Sequence, residues 1–572
     1  MKRSCRASLL AAALAAAPAL ALAAPAPCSA PGFAKDAEAM VAPFTEAGIF
    51  SGSVLVAVEG KPVFRKAYGL ANREWNVSNT PDTKFRLGSI TKQFTAAAIL
   101  QLAEQGKLSI DDPVSKYYPS APAAWSKITI RHLLTHTSGI PTYTALPGFF
   151  DRQARMPFKP EELVRLTQDK PLDFEPGKGY AYDNSGYVLL GVIVEKASGE
   201  PYAQYLQEHI FGPLGMKDSG FDSAQAIIAK RAAGYELGPN GAVNTQFLDM
   251  SVPYSAGSLY STVDDLLIWD QALYAAKPLK AESLKAMFTD YGHKYGFGFQ
   301  IDNKWDHPRI AHGGAVNGFI TEFERYPQDR LTVIVLSNVM NGAPNTIAPR
   351  LAGLCLGAQV LPKQASATPQ ALDGVAGDYA AGPGAIVHVT RQGDHLVAAT
   401  QGQPPMSYYP EADGRFFAKL ADAVVRFDLD AQGHATSATL SPNGQDGPSV
   451  VARRIDAAEA QRQQQALAKH VAEGKPAPGS EAALRRFIDQ VLKGEPDYAT
   501  LGPQLAQAVR QQTASGQNPF KSWGALQDVT FTGVGPGGFD IYAVTFANAK
   551  IESRISLDEQ GKIVGLNFRP AA

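Results

Sequence analysis

The stretch Phe85-Arg86-Leu87-Gly88-Ser89-Ile90-Thr91-Lys92-Gln93-Phe94-Thr95-Ala96-Ala97-Ala98-Ile99-Leu100 decides how this chain is read. A serine hydroxyl is a weak nucleophile at neutral pH. A lysine three residues further along a helix lies on the same face, within reach of its proton. The residues after Lys92 are strong helix formers and mostly apolar, which places Ser89 in the first turn of a buried helix. There the helix dipole favours developing negative charge, and burial lowers the proton affinity of Lys92. A Ser-x-x-Lys match alone is weak, since about one or two arise by chance in a chain of this length.

Two further motifs follow in order. Tyr180-Ala181-Tyr182-Asp183-Asn184-Ser185-Gly186-Tyr187 contains Tyr-x-Asn, and Arg309-Ile310-Ala311-His312-Gly313-Gly314-Ala315 ends a short apolar strand with His-Gly-Gly. With Ser-x-x-Lys they resemble the serine β-lactamase and penicillin-binding-protein superfamily, within it the group of class C β-lactamases, D-alanyl-D-alanine carboxypeptidases, D-aminopeptidases and esterases. Leu133-Leu134-Thr135-His136-Thr137-Ser138-Gly139 and Ala256-Gly257-Ser258-Leu259-Tyr260-Ser261-Thr262-Val263-Asp264-Asp265-Leu266 add to the likeness, which covers about residues 35 to 357.

The resemblance implies that Ser89 attacks a carbonyl to form an acyl-enzyme, with Lys92 and Tyr182 sharing the proton transfers. It implies that Asn184, His312, Gly313 and Gly314 bind substrate, and that the backbone N–H groups of Ser89 and Ala315 form an oxyanion hole. Asn184 would also hydrogen-bond Lys92. No cofactor or metal is implied, and His132 and His136 suit local packing and turn hydrogen bonds better than zinc. His312 departs from the lysine that β-lactamases and many carboxypeptidases carry. A neutral imidazole followed by Gly313 removes a fixed cation and a hydroxyl donor, which disfavours substrates with a free carboxylate, while acid would charge the imidazole in the ordinary histidine range. The glycines would let a substrate pass close to the strand.

At 572 residues the chain is too long for one core. With 45% hydrophobic residues and a formal net charge of -1 it has the composition of a soluble globular protein without the basic character that nucleic acid demands. Lys2, Arg3 and Arg6 precede an Ala/Leu run with small residues near Ala21-Leu22-Ala23, the pattern of a secretory signal peptide over residues 1–23. A periplasmic or secreted protein with no membrane anchor after processing is expected. Cys28 and Cys355 then remain, and the sequence leaves open a disulfide between them or two separate thiols.

The fold class expected is α/β (α+β). An antiparallel sheet assembled from both ends of residues 24–363 is flanked by helices and carries an inserted helical subdomain. Residues 364–455 are short β-like runs between Gly, Asp and Pro, a small antiparallel barrel or sandwich that resembles a lipocalin-like appendage. Residues 456–480 read as a helix and a Pro/Gly linker. Residues 481–572 read as two helices followed by a meander, a small α+β unit of cystatin-like or nuclear-transport-factor-like character. The functional expectation is a serine hydrolase acting on an amide or ester of a small molecule or short peptide, with homo-oligomerisation through the C-terminal units. The alternative is a sensor that recognises or is acylated by cell-wall peptides with little turnover.

Overall fold

The computed structural model describes residue 28 and residues 31–570 apart from 147, 239–240, 383–384, 401–404, 442–448, 515–519, 521–522, 536 and 559. The expected signal peptide lies outside the described residues.

The run Val54-Leu55-Val56-Ala57 has no polar face to offer solvent, so its strand must be covered on both sides. The sheet that satisfies it has strands β1 (Gly52–Val58), β2 (Lys61–Tyr68), β3 (Gln300–Lys304), β4 (His307–Val316), β5 (Phe319–Tyr326) and β6 (Leu331–Ser337). They lie in the order β3-β4-β5-β6-β1-β2 with every neighbouring pair antiparallel, so the first and last strands of this segment meet at the centre. In register, Val54 faces Val335, Leu55 faces Ile334 and Val56 faces Val333.

Side-chain alternation then sorts the core. Val54, Val56, Val333 and Val335 pack with the helices α1 (Phe33–Glu46) and, further along, the helix that ends at Cys355. Leu55, Ala57, Ile334 and Leu336 face a larger core built from the inserted helices α2 (Thr91–Glu104), α3 (Asn184–Ser198) and α4 (Val263–Tyr274). The last helix, α5 (Ala343–Cys355), carries the cysteine that closes a disulfide with Cys28, which ties the arm before α1 to the end of this unit. Of the two alternatives the sequence left open, the structure contains the bridge.

Two elements differ from expectation. The edge strand β3 has no clear sequence signal, because Gln300-Ile301-Asp302-Asn303-Lys304 alternates weakly and contains poor strand formers. Strand β4, from His307 to Val316, is longer than the short apolar strand expected before the His-Gly-Gly. Pairing with β3 and β5 on its two sides outweighs the low propensity of Pro308, Gly313 and Gly314.

Beyond α5 a closed barrel winds through strands from Gly377–Gly382 to Val450–Ile455, closing where Asp378 pairs with Ile455. Tyr379, Val389, Leu396, Tyr408, Phe416 and Val425 fill it. Arg350 on α5 reaches the barrel, donating to the carbonyl oxygens of Lys419 and Ala421 and pairing with Asp422. The helix Ala457–Glu473 follows. A separate core then forms between the helices Ser480–Lys493 and Pro503–Ala514 and a four-stranded meander, Leu526–Val534 to Ile563–Pro570. Among the described residues no helix is long and apolar enough to cross a membrane.

Candidate active site

The site begins where the turn before α2 is pressed against β4. Gly88 has φ +54°, and a Cβ there would stand 2.6 Å from the backbone nitrogen of Ala315; a Cβ on Gly314 would stand 1.9 Å from the carbonyl oxygen of Leu87. Both positions require glycine on steric grounds. Leu87 is fixed further by its N–H to the Leu259 carbonyl (2.8 Å) and by the Thr321 hydroxyl donating to its own carbonyl (2.8 Å). The backbone of Ala315 is thus held against the turn that presents Ser89. Ser89 sits in a 3₁₀ turn, Gly88–Ile90, that leads into α2, rather than in the first turn of the helix itself.

Lys92 is fully buried one turn along. Its Nζ lies 3.0 Å from Ser89 Oγ, 2.8 Å from Asn184 Oδ1 and 2.9 Å from the Ala256 carbonyl oxygen. Desolvation pushes its pKa down to about 7, against the pull of the Asp183 carboxylate. The two amide oxygens can only accept, so a neutral amine commits both of its N–H bonds to them. Its lone pair is left facing Ser89 Oγ.

The loop into α3 supplies the second side. Asp183 caps α3, its carboxylate accepting from the Gly186 N–H (2.9 Å). This fixes Asn184 as the first helical residue. Its backbone N–H donates to Thr142 and its Nδ2 to Thr144 Oγ1, which turns Oδ1 toward Lys92. Burial pushes the Asp183 carboxyl up to about 7. Tyr182 stands with its ring 4.8 Å from Lys92 Nζ and 4.4 Å from the His136 ring. The residue as a whole is 36% exposed. Its phenol, shut off from water by these neighbours, is raised above the ordinary tyrosine range, with Ser89 drawing it the other way. The phenol therefore holds its proton at neutral pH.

His312 lies in the same cluster, its ring 6.1 Å from Tyr182, yet it is buried and both nitrogens are engaged. Nδ1 lies 2.6 Å from the Gly313 carbonyl and must donate, so Nε2 accepts from the Tyr295 hydroxyl at 2.9 Å. Burial and the nearby Lys92 push its pKa down to about 3. The expectation that mild acid would charge this imidazole is therefore corrected. Gly313 backs onto a buried acid: a Cβ there would meet Glu322 Oε1 at 2.7 Å. Gly313 and Gly314 thus admit close packing of Glu322 and of the Leu87 turn.

The structure brings Ser89, Lys92, Tyr182, Asn184 and the 312–315 strand end together. Sequence reasoning missed Asp183, Tyr295 and the Ala256 carbonyl. His136 was read as a residue of local packing and turn hydrogen bonds, and the structure shows both, its ring against Tyr182 and its Nδ1 accepting the Asp183 N–H. Ala256 lies in a phrase that was conspicuous without an assigned role; Tyr295 carries no local signal.

Residues 35–355 match the family model described as Beta-lactamase, more than half of the chain, and the protein belongs to that family of β-lactamase-fold serine hydrolases. Among individual proteins, it is 29% identical over 441 residues to a penicillin-binding protein of Bacillus subtilis (strain 168), an alignment covering 70% of this chain and 95% of that protein. It is 38% identical over 185 residues to esterase EstB of Burkholderia gladioli, covering 30% of this chain and 47% of the esterase. A solved octameric penicillin-binding protein homologue from Pyrococcus abyssi superposes with a TM-score of 0.55 at 27% identity, covering 73% of this chain and 99% of that one.

Proposed function

We propose that the protein hydrolyses an amide or ester through an acyl-enzyme on Ser89, with Lys92 as the base that activates it. The observation that carries this is the Lys92 amine, desolvated and held by two pure acceptors with its third direction on Ser89 Oγ. Neutral Lys92 takes the Ser89 proton as Oγ bonds to the substrate carbonyl carbon. The N–H groups of Ser89 and Ala315 receive the oxyanion. Tyr182, protonated, donates to the leaving nitrogen or oxygen as its bond to carbon breaks, and recovers a proton from Lys92. Water then cleaves the acyl-serine ester and restores the enzyme.

The substrate class follows from what faces the cleft. His312 supplies no cation, and the partly exposed rings of Tyr180 and Tyr182 form an apolar wall on which His293 stacks at 5.1 Å from Tyr180. A carbonyl substrate without a free carboxylate beside the scissile bond, of D-aminopeptidase or esterase type, fits best. The Cys28–Cys355 bridge and the N-terminal pattern support a periplasmic or secreted site of action. The chemistry lies within residues 24–363, with the barrel and the C-terminal α+β unit serving docking or self-association; that a similar solved protein is octameric supports self-association.

The test is p-nitrophenyl ester turnover beside labelling by a fluorophosphonate and a fluorescent penicillin. Steady turnover with labelling lost in Ser89→Ala is the expected result. A stable penicillin adduct without turnover would make the protein a sensor.

A further inference from the structure

The phrase Leu133-Leu134-Thr135-His136-Thr137-Ser138-Gly139 has no part in the chemistry above, yet it stands directly behind the loop that delivers Tyr182 and Asn184. The loop hangs on it by four bonds in sequence. Asp173 donates its N–H to the Gly139 carbonyl (2.8 Å), Gly177 to Thr137 (2.8 Å), Ala181 to His136 (3.1 Å), and Asp183 to the His136 ring nitrogen Nδ1 (3.0 Å). Three of these acceptors are backbone and indifferent to residue type. The fourth is a side chain, and it takes the one N–H that lies between Tyr182 and Asn184.

We propose that His136 is the positioning residue of this site, its imidazole fixing the Tyr182 ring by contact and the Tyr182–Asn184 backbone by accepting the Asp183 N–H. The ring is 1% exposed and lies 4.4 Å from Tyr182, 5.0 Å from Tyr187 and 4.7 Å from Tyr295, centroid to centroid. Because Nδ1 accepts, the proton sits on Nε2, which has no hydrogen-bond partner among the described residues. A buried, unpaired N–H costs free energy, so packing alone does not explain a histidine at this position. His136 also holds φ +58°, a conformation that asparagine tolerates and most residues resist. Asp183 in turn caps α3 through Gly186, so a shift at His136 would move the phenol and the Asn184 amide together and loosen the grip on Lys92.

This rests on the reading of Tyr182 and Asn184 as parts of the hydrolytic site, and the experiment keeps the two claims apart. In His136→Asn the amide oxygen falls near the place of Nδ1 and the backbone is tolerated. In His136→Gln the oxygen falls near the place of Nε2, where no donor waits. Ester hydrolysis by the full chain is compared for wild type and both variants, with thermal unfolding recorded alongside. The expected result is a kcat within about 10-fold of wild type for His136→Asn and about 100-fold lower for His136→Gln, with KM little changed, since a displacement of about 1 Å at reacting groups costs about that much. Equal kcat in the two variants, or a loss confined to KM, would overturn the proposal. Absence of turnover in the wild type would instead remove the hydrolytic reading beneath it.

Discussion

Two buried polar clusters in this chain are built on opposite principles. Around Lys92, ionisable groups are shut away from water without a charged hydrogen-bond partner: the lysine has only neutral acceptors, Asp183 leaves Oδ1 without a partner among the described residues, and both are pushed to about 7. At the start of the C-terminal α+β unit, Asp540 is equally buried but fully employed. It meets His470 Nε2 at 3.0 Å from the helix Ala457–Glu473 and accepts from the Ala477 N–H at 2.8 Å in the linker. The first arrangement leaves two groups shifted to about 7; the second holds one helix and one linker against a sheet. Burial alone does not mark an active site. Burial without compensation, beside a nucleophile, does.

Removing the central group of each cluster should separate them most sharply. Lys92→Ala should lower kcat for an ester on the order of 10⁴-fold or more, because it removes the amine that faces Ser89 Oγ, while the fold persists. Full activity in that variant would end the comparison at once. Reducing the Cys28–Cys355 bridge, which spans 327 residues, should lower stability by about 2–5 kcal/mol and leave the initial hydrolysis rate of the folded protein nearly unchanged. Calorimetry with and without reductant reads the first and a progress curve the second. Asp540→Ala should cost about 1–3 kcal/mol in the C-terminal unit by stranding the Ala477 N–H, with no effect on kcat. A parallel loss of activity would show that the two regions are coupled.

The smallest effect is the most informative about charge. Asp183→Asn keeps a helix-capping oxygen but removes the carboxylate that raises the Lys92 pKa. The acid limb of the rate profile should therefore move to lower pH. The same change has a stability signature with a definite sign. The folded-state pKa of Asp183 is raised, so the wild type loses stability as pH rises from about 4 toward about 7, and the variant does not. Urea midpoints at two pH values measure it; an identical pH dependence in both proteins would show that Asp183 is ionised throughout.

The sequence carried the residues of the candidate site more fully than their electrostatic surroundings. Ser89, Lys92, Tyr182 and Asn184 stand in spaced motifs because a helical turn and a cap demand fixed separations. The meander from Leu526 to Pro570 and the barrel strands from Ala385 on were legible from alternation and turn residues. Strand β3 was not, because its pairing with β4 rather than its own composition makes it a strand. His312 was visible as a departure from lysine, but its uncharged state depends on burial and on the nearby Lys92, and its ring orientation on Tyr295 and the Gly313 carbonyl, all set only by the folded chain. The lowered proton affinity of Lys92, by contrast, was legible from the apolar helix that follows it, and its burial bears that out.

The central claim is that desolvated Lys92, not Tyr182, takes the proton from Ser89. The direct test is the pH dependence of kcat/KM for a neutral ester in wild type and in Tyr182→Phe. The account requires a rate that rises with pH through about 7 as Lys92 loses its proton, and the same midpoint at a lower plateau in Tyr182→Phe. A wild-type rate that keeps climbing toward the ordinary lysine range near pH 10, or a limb that disappears when the phenol is removed, would contradict it.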